Sequence, residues 1–145
     1  MRCSCCQNHG KKEEPVVREM LKAAARAADE EWQTCRALAK KARKEKDRCL
    51  LYLLADEKKR CRKTLKRLYF YLFRRELSHD IPKVILKGGF KENLVKAMMK
   101  AKENARFYEE TASRLRDDSA RRVLLGLAEE EERCARRQEE ILNAR

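Results

Sequence analysis

Leu54-Ala-Asp-Glu-Lys-Lys-Arg-Cys61 and Leu127-Ala-Glu-Glu-Glu-Glu-Arg-Cys134 are two forms of one octapeptide, set 73 residues apart. The same ungapped offset pairs Ala24 with Ala97, Ala28 with Ala101, Glu30 with Glu103, Ala39 with Ala112, and Leu51 with Leu124. A repeat of this length holds one helical hairpin, which cannot bury its apolar face alone. Two copies therefore predict a pseudo-symmetric four-helix bundle. Carboxylates placed equivalently on the two hairpins then converge at the centre, where a metal pair can sit.

The composition agrees. Of 145 residues only four are Gly and two are Pro, and Ala, Leu, Glu, Lys and Arg are abundant, so the chain reads as one nearly all-helical domain. With 42% charged residues and a mean hydropathy of -0.84, a membrane protein is excluded. No apolar run approaches the roughly 18 residues that a spanning helix needs. The start, Met1-Arg2-Cys3-Ser4-Cys5-Cys6, lacks the apolar stretch of a signal peptide, which makes the cytoplasm the expected location. Residues 1–15 read as a Cys-rich tail and residues 16–145 as the bundle.

Apolar spacing outlines the helices. The first begins after Pro15 and carries Val17, Leu21, Ala24, Ala28, Trp32 or Cys35, Leu38 and Ala42 on one face. The basic stretch from Lys40 to Lys46 holds a turn, and Asp47 can cap the second helix. That helix runs through Leu50, Leu54, Cys61, Leu65, Leu68 and Leu72 and is expected to stop near Ser78. Residues 79–90, with Pro82 and Gly88-Gly89, form a long connection. A third helix carries Leu94, Ala97, Ala101, Ala105, Tyr108, Ala112 and Leu115. Asp117-Asp118-Ser119 then makes a turn and a cap, and a fourth helix carries Leu124, Leu127, Cys134 and Ile141. The expected fold is all-α: a ferritin-like four-helix bundle of two helical hairpins joined by a long crossover.

Four polar positions stand out on these helices. They are Glu30, with Glu31 as a close competitor, Lys58-x-x-Cys61, Glu103, and Glu131-x-x-Cys134. Ala55-Asp56-Glu57-Lys58-Lys59-Arg60-Cys61 resembles the second-helix Ala-Asp-x-Glu-x-x-His motif of the rubrerythrin branch of the ferritin-like superfamily. Glu92-Asn93-Leu94 with Ala97, Glu103 and Asn104 looks like the start of that family's third helix. Leu127-Ala128-Glu129-Glu130-Glu131 through Cys134 looks like its fourth-helix motif, with Cys for His. The likeness spans roughly residues 17 to 142, and 28 residues separate both Glu30 from Lys58 and Glu103 from Glu131.

The resemblance implies a centre for two irons and the reduction of peroxide or oxidation of iron, with Glu30, Glu103, Glu131, Cys61 and Cys134 as metal ligands. The departures point elsewhere. Both family histidines are Cys, a bridging Glu is Lys58, an additional third-helix Glu is Arg106, and no rubredoxin-like domain is expected. An ammonium among Glu30, Glu103 and Glu131 would neutralise carboxylates that otherwise repel one another, leaving a metal-free centre. The same thiols and carboxylates also suit a single metal, zinc above all. The expected function is that of a rubrerythrin-like protein with a degenerate or altered di-iron centre, retaining either metal binding or peroxide and iron redox.

The charge pattern supports a different class of function. From Arg36 to Arg75 there are sixteen Lys or Arg against Glu45, Asp47, Asp56 and Glu57, whereas Glu103 to Arg145 has eleven acids and nine bases. A basic surface of this kind can bind nucleic acid, or pair with an acidic face in a homodimer. Seven cysteines read either as reduced thiols or as an intracellular disulfide of a hyperthermophile. Cys3-x-Cys5-Cys6-x-x-His9 has residue types that bind zinc, copper(I) or an iron–sulfur centre, compressed into seven residues, and reads equally as a plain terminal tail.

Overall fold

In the computed structural model, which describes residues 15–144, Pro15 opens the first helix at the position where its missing N–H costs nothing. Helices α1 (Pro15–Lys41) and α2 (Glu45–Phe73) form one hairpin, and α3 (Phe90–Ser113) and α4 (Asp118–Asn143) form the other. Packing is densest within each hairpin, intermediate between α1 and α3, and sparsest between α2 and α4. The result is an all-α four-helix bundle with one long crossover. The cluster of Cys3, Cys5, Cys6 and His9 and the tail lie outside the described residues.

The repeat reaches into the turns. In the first hairpin Arg48 donates to the Ala42 carbonyl (3.0 Å) and pairs with Glu45 (3.0 Å). In the second, Arg121 donates to the Leu115 carbonyl (2.6 Å) and pairs with Asp118 (3.1 Å), at positions 73 residues on. The N-caps differ. Asp117 accepts from the Ala120 N–H (2.9 Å) as a side-chain cap, whereas Lys44, its counterpart, makes no side-chain cap. Asp47 does not cap α2 as expected. It lies inside the first turn, because the helix starts two residues earlier.

Helix α2 also stops at Phe73, short of Ser78. Arg74 adopts the left-handed conformation (φ 55°) and its N–H closes on the Phe70 carbonyl at 2.8 Å, which turns the chain away. The crossover then runs extended along α1, with Pro82, Val84 and Leu86 half-buried and Ile81, Lys83, Ile85 and Lys87 exposed in alternation. Residues one helical turn apart on α1 hold it. Asp29 binds His79 (2.5 Å), while Gln33 donates to the Pro82 carbonyl (2.5 Å) and accepts from the Val84 N–H (3.0 Å). His79, unremarkable in the sequence, is thus an anchor of the crossover. Gly88 ends the strap at φ 90°, where an added Cβ would also meet Glu92 Oε2 at 2.7 Å.

The core has two apolar halves. One gathers Leu21, Leu65, Leu68, Leu72, Leu115 and Leu124, and the other Leu38, Leu51, Leu54, Leu94 and Ile141. Between them lies a layer of buried polar side chains.

Candidate functional site

Each helix contributes one polar side chain to this layer: Glu31 from α1, Lys58 from α2, Asn104 from α3 and Glu131 from α4, between 1% and 8% exposed. Pairwise they stand 73 residues apart, Glu31 with Asn104 and Lys58 with Glu131. Around them, also paired by the repeat, are Cys35 and Tyr108, and Cys61 and Cys134, all buried.

Two of the residues expected at the centre are elsewhere. Glu30 is about one-third exposed and pairs with Arg26 (3.4 Å) on the flank of α1, and Glu103 is exposed on α3. The inward face follows helical phase: Ala24, Ala28, Glu31, Cys35 and Leu38 on α1, and Ala101, Asn104, Tyr108 and Thr111 on α3. Glu30 and Glu103 follow the inward alanines at 28 and 101 by two residues, a step that points off the face. Glu31 and Asn104 follow by three, which stays on it. Lys58, Cys61, Glu131 and Cys134 lie where the sequence put them. Cys35, Tyr108 and Asn104 escaped notice as site residues, although their spacing from Ala28 and Ala101 marks them.

The electrostatics are those of an internal ion triad. Lys58 Nζ forms an ion pair with Glu131 Oε1 and lies 3.6 Å from Glu31 Oε2. Burial works against the Lys58 charge, but Glu31 and the sulfurs of Cys134, Cys61 and Cys35 more than offset it and hold the ammonium protonated above the ordinary lysine value. Burial pushes the Glu31 carboxyl above its usual range, against the pull of Lys58 and of the neighbouring Asn104 amide. Burial also raises the Cys61 and Cys134 thiols to about 11 and the Cys35 thiol well above its ordinary value. Cys61 Sγ and Tyr108 Oη share a hydrogen bond of 3.1 Å, and burial lifts the Tyr108 phenol as well. At neutral pH the thiols are protonated and unreactive.

Several buried acceptors have no hydrogen-bond partner among the described residues: Glu31 Oε1, Glu131 Oε2 and Gln138 Oε1. Glu31, Glu131 and Cys134 each offer a ligand atom, and the three lie within 4.8 Å of one another, so this buried group can hold a metal ion. A cavity of about 240 Å³ adjoins the layer, with Glu30, Glu31, Cys35 and Gln138 on its walls and Lys96 and Lys100 across from them. No helix among the described residues is long and apolar enough to cross a membrane. No protein-family model matches the chain, nor does any curated protein or solved structure.

Proposed function

We propose that this chain is a ferritin-like protein of the rubrerythrin type whose di-iron centre has been replaced by an internal ammonium, and that it does not run two-iron peroxide or oxygen chemistry. The observation that carries this reading is the Lys58 ion pair with Glu131, with Glu31 alongside, in the layer where a metal pair would need anions. Two adjacent divalent ions and the Lys58 ammonium would set five positive charges against two carboxylates and, with Cys61 and Cys134 both ionised, two thiolates. The layer would then keep an uncompensated buried charge, which is costly. The imidazoles that complete each iron's coordination are Cys61 and Cys134, a bridging Glu is Lys58, and the α3 side chain in the layer is the neutral Asn104. Two irons do not fit these residues.

The test is metal content and turnover of untagged protein. Wild-type protein is expected to carry no iron pair and to leave hydrogen peroxide untouched. Lys58→Glu, Cys61→His, Cys134→His and Asn104→Glu together are expected to raise iron uptake. Two irons per wild-type chain with peroxide turnover would overturn the reading.

A second reading, a nucleic-acid-binding bundle, is favoured by one feature. Of the sixteen bases from Arg36 to Arg75 only Lys58 is buried, and nearly all the others are exposed along the end of α1 and the length of α2. Binding through this surface is expected to weaken steeply with salt as condensed counterions are displaced. Salt-insensitive binding, or none at low salt, removes it.

A further inference from the structure

We infer that Glu31, Glu131 and Cys134 form a site for one thiophilic divalent cation of the zinc class, with the Lys58 ammonium kept beside it on the same two carboxylates. The inference rests on the reading that the layer no longer holds paired irons, and it names what the layer takes instead.

Geometry comes first. The three ligand atoms, on α1 and α4, lie within 4.8 Å of one another. Glu31 Oε1 and Glu131 Oε2 are buried acceptors without a partner among the described residues. Such atoms cost stability when left bare, and a cation satisfies both at once. Gln138 Oε1, also unpartnered among the described residues, and the Asn104 amide beside Glu31 lie within the same interior and are available to orient the ligands.

Donor chemistry selects the ion. One sulfur and two carboxylate oxygens suit zinc, which binds thiolate at about 2.3 Å and carboxylate at about 2.0–2.2 Å. Calcium asks for six to eight oxygens, and magnesium for an octahedron of them, which this layer lacks. Three protein ligands leave zinc's fourth position to solvent, as in open zinc sites.

Charge decides between one ion and two. On coordination Cys134 gives up its proton to solvent and binds as thiolate. The dication and the Lys58 ammonium then balance two carboxylates and one thiolate, and the buried layer is neutral. Before the ion binds, two buried carboxyl groups share the one ammonium. One ion leaves the layer neutral, whereas a second, even with Cys61 also ionised, leaves it positively charged. One ligand, Glu31, also forms part of the wall of the 240 Å³ cavity, which Glu30, Lys96 and Lys100 line as well.

The experiment uses the full chain, reduced and stripped of metal, with Cys3, Cys5 and Cys6 changed to Ser so that terminal thiols cannot contribute. Cobalt(II) is titrated as the spectroscopic probe and then displaced with zinc. The expected result is one equivalent per chain, a thiolate-to-cobalt absorption band, and displacement by one equivalent of zinc. Cys134→Ser is expected to abolish the band, Glu131→Gln to weaken binding at least about tenfold while keeping the band, and Cys49→Ser, an exposed thiol, to change nothing. Absence of the band in the folded parent chain, or a band that survives Cys134→Ser, overturns the inference. The iron measurement separates the two proposals. Failure of cobalt and zinc to bind leaves the lysine-filled centre standing, whereas two irons per chain removes that reading first.

Discussion

In the N-terminal hairpin the central layer carries Glu31 and Lys58, with Cys35 and Cys61 beside them. In the C-terminal hairpin the equivalent positions carry Asn104 and Glu131, with Tyr108 and Cys134. The two hairpins match down to the arginine locks of their turns, and the differences that bear on the site are in the side chains meeting at the centre. Each hairpin contributes one carboxylate, and only the first contributes a cation, so the charge balance is a property of the pair. The exchange of Cys35 for Tyr108 breaks the symmetry in space as well. The phenol of Tyr108 fills its half of the interior and reaches Cys61, while the smaller Cys35 lines the cavity that opens beside Glu31. Pseudo-symmetry built the bundle, and asymmetry at a few positions made one side of its centre accessible.

The comparison breaks most severely at Lys58. Lys58→Met leaves two carboxylates buried without a cation and is expected to cost about 3–5 kcal/mol in urea unfolding at neutral pH. Adding Glu31→Leu and Glu131→Leu is expected to recover most of that loss, since an apolar layer of similar volume is often as stable as an ion-paired one. If Lys58→Met unfolds like wild type, the triad does not hold the layer together.

Away from the centre the hairpins should behave alike. Leu51 and Leu124 are repeat-equivalent and 0% exposed, one in each apolar half. Leu51→Ala and Leu124→Ala are each expected to cost about 2–5 kcal/mol. A large disparity between them would show that the equivalence of the two hairpins stops at the backbone.

The thiols supply a pH dependence that the carboxylate layer alone would not. Cys61 and Cys134 rise from an ordinary 9.0 to about 11 on folding, and Lys58 is likewise raised. Groups that hold their protons more tightly when folded contribute stability that is fully present below the unfolded value. That contribution is lost as pH climbs through the folded one. Unfolding midpoints should therefore fall between pH 9 and about 11, with up to about 1.4 kcal/mol per pH unit from each thiol, and Lys58 adds to the loss only above its ordinary 10.5. Cys61→Ala with Cys134→Ala is expected to flatten the profile, and a wild-type midpoint constant to pH 11 would contradict the burial of these thiols.

The smallest effect lies at the turns. Asp117→Ala removes the cap on Ala120 together with the hydrogen bond from Tyr71 (2.9 Å) and should cost about 1 kcal/mol. Lys44→Asp at the uncapped counterpart should gain a few tenths of that by thermal melting, which would make the two turns more alike.

The repeat, the glycine-poor composition and the apolar spacing were enough to specify four helices, two hairpins and a long crossover, because helical periodicity is a local property of the chain. They also located Lys58, Cys61, Glu131 and Cys134. Glu30 and Glu103 were misplaced because residue identity was weighed above phase: both are Glu in both copies, yet each sits two residues past an inward alanine. Asn104 and Tyr108 lack the charge that draws attention to a site, and His79 lies in a segment without periodicity. What only the tertiary structure decided is which side chains share the central layer. Ion pairing between Lys58 and Glu131 depends on how two hairpins are rotated against each other, and that rotation is set by packing across the whole core rather than by any stretch of sequence.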